Sequence, residues 1–149
     1  MARVLIVGCG GRGQALAREL VAAGHAVRGT TRDEANFDAI RAAGAEPYLG
    51  DPDRIMTLMD ALAQTTIVAY LLRTADNPEL HEGRLRMLTE KVVDTGVRGF
   101  LYEDGGGEMI VRAARATWNI PIEILETEPA ECERWTADAL AAVQRLLEA

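Results

Sequence analysis

The chain has 149 residues, 48% of them hydrophobic and 26% charged, with a formal net charge of -7. That length suits one domain with a sizeable core and is short for a complete two-domain enzyme. The acidic balance argues against a general nucleic-acid or anionic-membrane surface, and no apolar run approaches bilayer-spanning length. Met1-Ala2-Arg3 leads straight into an apolar run, so no signal peptide is expected. Cys9 and Cys132 lie far apart, which suits a reducing, cytoplasmic setting and offers no metal-ligand spacing.

The first element organises the rest. Val4-Leu5-Ile6-Val7 reads as a buried parallel strand, and Gly8, Gly10 and Gly13 then form G-x-G-x-x-G. Ala15, Leu16, Leu20 and Val21 open a helix immediately afterwards. In such a turn Gly8 lets the chain leave the strand sharply, Gly10 lets a pyrophosphate approach the backbone, and Gly13 lets the helix pack on the sheet. The helix N-terminus offers unpaired N–H groups to the phosphates. Gly8, Cys9, Gly10, Gly11, Arg12 and Gly13 are therefore the expected dinucleotide loop.

Strands and helices alternate through the remainder. Gly24 closes the first helix and residues 26–31 read as the second strand. Residues 33–43 read as a helix ended by Gly44, and residues 45–49 as a short third strand. Gly50-Asp51-Pro52-Asp53 turns into a helix running to about Ala63, with Met56, Met59, Leu62 and Ala63 on its buried side. Residues 66–72 are apolar enough for a central strand. A polar connection, residues 73–82, leads to a helix with Leu85, Leu88 and Val92 as its stripe and Gly96 as its stop. Residues 97–103 form a fifth strand, Asp104 and Gly105-Gly106-Gly107 a loop, and residues 108–118 a helix. A sixth strand at 120–125 and a closing helix at 136–147 complete the chain. This pattern predicts an α/β fold, a single doubly wound Rossmann domain with six parallel strands ordered 3-2-1-4-5-6.

The end of the second strand bears on which dinucleotide fits. A carboxylate there accepts from the adenosine ribose and favours NAD, whereas an arginine among small hydroxyl residues suits the 2′-phosphate of NADP. Thr30, Thr31 and Arg32 fall at this point with no acid among them. Asp33 follows directly and reads as a helix N-cap. NADP is thus the expected cofactor, with NAD the alternative, and Arg32 as an ordinary surface arginine remains the competing reading.

Gly8-Cys9-Gly10-Gly11-Arg12-Gly13, Gly29-Thr30-Thr31-Arg32, Gly50-Asp51 and the run from Thr95 to Tyr102 together resemble the atypical, extended-type short-chain dehydrogenase/reductases. Those include NAD(P)-binding epimerase-like and NmrA-like proteins. The resemblance extends over most of the chain and is specific in the first half. It implies that Asp51 contacts the adenine edge, although Asp51 also reads as a plain turn or cap. It implies too that the backbone of Leu71-Leu72-Arg73 passes along the middle of the cofactor. The family's acid/base tyrosine is followed four residues later by a lysine. Here Tyr48, Tyr70 and Tyr102 are followed at that spacing by Pro52, Thr74 and Gly106, and the sole lysine is Lys91. The segments that carry substrate contacts in that family are short, so the chain reads as a cofactor-binding core with its substrate lobe cut away. The nucleotide-binding regulatory domain of potassium transport systems has a similar length and glycine loop, but an acid where Thr31 sits.

Two functional classes follow. The first is a dinucleotide-binding sensor, regulatory module or subunit without turnover. The second is a small reductase or epimerase-like enzyme with an unusual acid/base group, for which Tyr102, Asp104 and Glu108 are candidates. An unperturbed tyrosine, with a pKa of about 10, is a poor base near neutrality. Cys9 reads either as a thiol activated at a helix N-terminus or as a small residue tolerated in a tight turn. Glu103, Asp104 and Glu108 read as solvated loop residues rather than metal ligands, so no metal is expected. Arg73 and His81 suit substrate or phosphate contact, His81 more simply as an exposed residue. Trp118 and Trp135 suit either the core or an interface. The expected partners are the dinucleotide and a second copy or another protein, with no nucleic acid and no membrane.

Overall fold

The computed structural model describes residues 2–149. Six strands, β1 (Arg3–Val7), β2 (Ala26–Thr31), β3 (Glu46–Leu49), β4 (Ile67–Tyr70), β5 (Gly99–Glu103) and β6 (Ile122–Leu125), form one parallel sheet ordered β3-β2-β1-β4-β5-β6. This is the order the sequence predicts. The helices are α1 (Gly11–Ala22), α2 (Phe37–Ala42), α3 (Met59–Leu62), α4 (Gly83–Val92), α5 (Glu108–Trp118) and α6 (Cys132–Glu148). Among the described residues no helix is long and apolar enough to cross a membrane.

The continuous apolar run of β1 is explained by two cores. Side chains alternate across a strand, so Val4 and Ile6 face one layer and Leu5 and Val7 the other. The first layer packs Leu16 and Leu20 of α1, Ile40 of α2 and Trp135, Val143 and Leu146 of α6 against the sheet. The second packs Leu58, Leu62, Leu85, Leu88 and Val111 against Val68, Tyr70, Phe100 and Tyr102. β1 pairs with β2 on one side and β4 on the other, so the winding reverses at its carboxyl end. Ligands in open sheets of this kind sit at that crevice.

Three elements depart from the expected pattern. The helix expected over residues 33–43 begins as a 3₁₀ segment, Glu34–Asn36, before α2. The chain before α3 begins as a 3₁₀ segment, Ile55–Leu58, whose three-residue turn rotates the buried face. Ile55, Leu58, Ala61 and Leu62 are therefore buried, Met59 is half-buried, and Met56, at 69%, and Ala63 are exposed instead of lining the core. α6 starts a full turn earlier than its apolar stripe suggests. Its first turn carries Trp135, whose amide donates to the Glu131 carbonyl at 2.7 Å and whose ring is wholly buried. The fully buried indole assigns Trp135 to the core, while Trp118 is 39% exposed.

Candidate functional site

The chain leaves β1 through Gly8, whose φ of +90° is open to glycine and strained for other residues. A Cβ there would also lie 2.6 Å from Leu72 Cδ2 and 2.7 Å from the Leu71 carbonyl oxygen. The Gly8 amide donates to Thr30 Oγ1 and the Cys9 amide to the Thr30 carbonyl, both at 3.1 Å, which ties the loop to β2. Gly10 is the N-cap of α1 and supplies no side-chain cap. The amides of Gly11, Arg12 and Gly13 have no carbonyl four residues back within the helix. A Cβ on Gly10 would meet nothing within 4 Å, so backbone alone faces the crevice there. Gly13 lets α1 close on the sheet, since a Cβ would lie 3.0 Å from the Gly8 carbonyl oxygen and 3.1 Å from Ile6 Cγ2.

Cys9 turns away from this surface. Its side chain is buried against Gly29, where a Cβ would lie 2.6 Å from Cys9 Sγ. Burial pushes the thiol up to about 12, so the activated-thiol reading does not hold.

Above the loop lies an open groove of about 280 Å³. It runs from Thr31, Arg32 and Asn36 at the end of β2, over the glycine loop, to Leu71, Leu72 and Thr74 beyond β4. Thr31 Oγ1 accepts from the Asp33 amide at 3.2 Å and from Asn36 Nδ2 at 3.0 Å. The Asp33 carboxylate accepts from the Ala35 amide at 2.9 Å, the capping role its position suggested. Arg32 is exposed at the groove and, among the described residues, has no hydrogen-bond or ion-pair partner. Asp51 Oδ1 accepts from the Asp53 amide at 2.9 Å, and the neighbouring groove wall is Gly50 and Pro52. Arg73 does not line the groove. Its amide donates to Glu103 Oε1 at 3.0 Å and its guanidinium pairs with Glu128 at 3.1 Å.

Glu103 is a buried hub rather than a solvated loop residue, with no exposed surface. Arg12 donates to it twice, Nε to Oε2 at 3.0 Å and Nη2 to Oε1 at 2.8 Å. Trp135 Nε1 donates to Oε2 at 2.8 Å, and the Arg12 guanidinium lies 5.5 Å from the centre of the Trp135 ring. The remaining Arg12 nitrogen, Nη1, donates to Thr74 Oγ1 at 3.3 Å. A signal for this hub existed in the sequence: a single acid ending the otherwise apolar Phe100-Leu101-Tyr102 run, with an arginine in the facing loop. Spacing alone did not pair them.

Tyr102 is not placed for acid/base work. It is fully buried, and its oxygen accepts from the Gly105 amide at 3.2 Å and the Gly107 amide at 2.8 Å. With that oxygen so occupied, its proton goes to His81 Nδ1 at 2.6 Å, and His81 Nε2–H donates to the Leu72 carbonyl at 3.0 Å. Burial raises the Tyr102 pKa above its ordinary value, the opposite of what a base near neutrality needs. His81 is likewise buried, not exposed to a substrate. The glycine triplet packs against this pair, and a Cβ at Gly105 would run into the His81 ring. Asp104 and Glu108 come together with Glu126, their carboxylate oxygens within 4.8 Å of one another. Asp104 already accepts from the Gly106 amide at 3.1 Å, and Glu108 from Arg112 at 2.6 Å.

Sheet order, glycine turn and groove define a Rossmann domain of the NAD(P)-binding type. The model of the TrkA-N domain matches residues 4–79, half of the sequence, and the chain belongs to that family. The match runs from β1 and the glycine loop through most of the connection between β4 and α4, and it includes the Thr31 position. An uncharacterised protein of Schizosaccharomyces pombe is 40% identical over 63 residues, covering 42% of this chain and 21% of its own length. In shape the chain is similar to Citrobacter triphenylmethane reductase complexed with NADP(H), at a TM-score of 0.67 and 18% identity over 83% of this chain and 49% of that one. It is also similar to a short-chain dehydrogenase/reductase superfamily protein of Agrobacterium tumefaciens with bound NAD (TM-score 0.68, 20% identity, 83% and 48% covered). Thermotoga maritima UDP-glucose 4-epimerase gives a TM-score of 0.71 at 14% identity, with 83% and 54% covered. The chain thus spans about half the length of these solved structures and about a fifth of the curated relative.

Proposed function

We propose that this chain binds NADP(H) without turning it over, as a nucleotide- or redox-sensing module in the cytoplasm that reports to a protein partner or a second copy. The diphosphate rests on the first-turn amides of α1, and Thr31 and Arg32 receive the 2′-phosphate. The observation that carries this reading is Arg32, exposed at the end of β2 and, among the described residues, without a hydrogen-bond or ion-pair partner, beside an Asp33 carboxylate committed to Ala35. A guanidinium free of intramolecular pairing suits a phosphate better than a ribose hydroxyl. Asp51, whose carboxylate stiffens the 50–53 turn, acts through the wall that meets the adenine.

The absence of turnover is inferred from the side chains around the groove. Tyr70 and Tyr102 are buried, their hydroxyls bonded to the Leu80 carbonyl and to His81, and Lys91 is exposed on α4. The reductase or epimerase-like reading rests on Asp104 and Glu108, which lie beyond the carboxyl end of β5 on the ligand side of the sheet. Hydride transfer needs only nicotinamide and a positioned substrate. Incubation with NADPH and a panel of carbonyl compounds separates the two: turnover lost in Glu108→Gln would replace the sensor with the enzyme.

Titration with NADPH and NADH tests the nucleotide. The parent should prefer NADPH, and Arg32→Ala should weaken NADPH by about tenfold or more while leaving NADH nearly unchanged, the loss of one charge-assisted contact. Equal affinity for both dinucleotides, unmoved by the substitution, would remove Arg32 from the site.

A further inference from the structure

We infer that Glu103 is a positioning residue for the nicotinamide half of the dinucleotide: through Arg12 and the Arg73 amide it holds the two lips of the groove in register. The inference rests on the dinucleotide reading above and deepens it. In a Rossmann sheet each half of the winding takes one mononucleotide. Here the adenosine half falls on the β1–β3 side, where Thr31 and Arg32 stand. The other half falls beyond β4 and β5, where Leu71, Leu72 and Thr74 form the wall.

That second wall is pinned by one carboxylate. Glu103 receives Nε and Nη2 of Arg12, the Arg73 amide and the Trp135 indole N–H, at 2.8–3.0 Å. Arg12 belongs to the glycine loop, Arg73 follows the wall residues directly, and Trp135 belongs to α6. Arg12 Nη1 adds Thr74 to the same set. The planar guanidinium matches the carboxylate in a fork that fixes direction as well as distance. A buried ion pair contributes little net stability relative to well-packed apolar side chains, so what this one supplies is geometry. It also draws the arginine of the loop toward β5, leaving the diphosphate to the bare amides of α1 and the 2′-phosphate to Arg32.

The test is titration of the full chain with two probes, NADPH and adenosine 2′,5′-bisphosphate, which lacks the nicotinamide half. Glu103→Gln keeps the shape and removes the paired charge. It should weaken NADPH by about tenfold while moving the bisphosphate by less than about twofold. Trp135→Phe keeps an aromatic ring and removes one donor to Glu103, so it should shift NADPH in the same direction by less. If the glutamine variant does not fold, the phenylalanine variant is sufficient to decide the matter. A purely structural role for Glu103 would lower both affinities together, or neither, and that result would overturn the inference. Arg32→Ala should differ from Glu103→Gln in the bisphosphate arm, weakening the bisphosphate as strongly as NADPH. If the parent binds neither probe, the dinucleotide reading falls and this inference falls with it. If the parent binds both and the variants show no split, only the positioning role is lost.

Discussion

At the scale of single residues, the glycines of the loop separate folding from binding. Gly8 is required by the fold, because its positive φ and its contacts with Leu71 and Leu72 leave no place for a Cβ. Gly8→Ala should destabilise the protein by about 3 kcal/mol, combining left-handed strain with overpacking. Gly10 is required by the ligand, because a Cβ there meets nothing within 4 Å. Gly10→Ala should cost about 1 kcal/mol of stability or less, the N-cap preference for glycine over alanine, yet lower dinucleotide affinity by about tenfold or more as the methyl lengthens charge-assisted contacts to the diphosphate. Urea unfolding and nucleotide titration of the two variants check this together. A Gly10→Ala protein that binds as tightly as its parent would move the diphosphate away from these amides.

At the scale of elements, the segment between β4 and α4 and the glycine triplet before α5 act as one unit. Tyr70 donates to the Leu80 carbonyl at 2.6 Å, and Tyr102 joins Gly105, Gly107 and His81. These are stretches with few apolar side chains, so polar bonds from two buried tyrosines supply their anchoring. Tyr102→Phe would strip a partner from two amides and from His81 Nδ1. It should cost about 3 kcal/mol, given the penalty for leaving buried polar groups unpaired. The urea midpoint reads this directly, and a variant as stable as the parent would show the hydroxyl to be dispensable to the staple. The glycine triplet reads in the sequence simply as a loop after the fifth strand. It is also a packing surface, because a side chain at Gly105 or Gly107 would collide with His81 or Tyr102.

At the scale of the whole molecule, the two cores bury ionisable groups that resist losing their protons. Burial raises the Cys9 thiol from 9.0 to about 12 and raises Tyr70 and Tyr102 above their usual values. Each of these groups is neutral when protonated. Above about pH 9 the unfolded chain therefore releases protons that the folded one retains, and stability falls as pH rises. Their contribution is complete below the unfolded thiol value and is lost as pH climbs toward the folded one. Unfolding midpoints should hold near about pH 8 and drop steadily by about pH 10.5. A midpoint unchanged across that range would mean these groups are open to solvent.

The order of the sheet and the glycine turn were legible in the sequence, because alternation of apolar runs with helical stripes depends on local periodicity alone. Val4 to Val7, facing two cores, had to be apolar throughout, and Gly8, Gly10 and Gly13 sit at offsets that chain geometry demands. Asp33 as a cap was readable for the same reason: its partner, the Ala35 amide, lies two residues away. The tertiary structure alone decided the rest. Glu103 and Arg12 are 91 positions apart, and Glu103 and Trp135 are 32 apart. A buried acid shows that a donor must exist without saying which, since the partner is chosen by how strands stack and not by spacing along the chain. The same holds for Tyr102, whose hydroxyl could have faced the groove or the core until the packing of His81 and two glycines turned it inward.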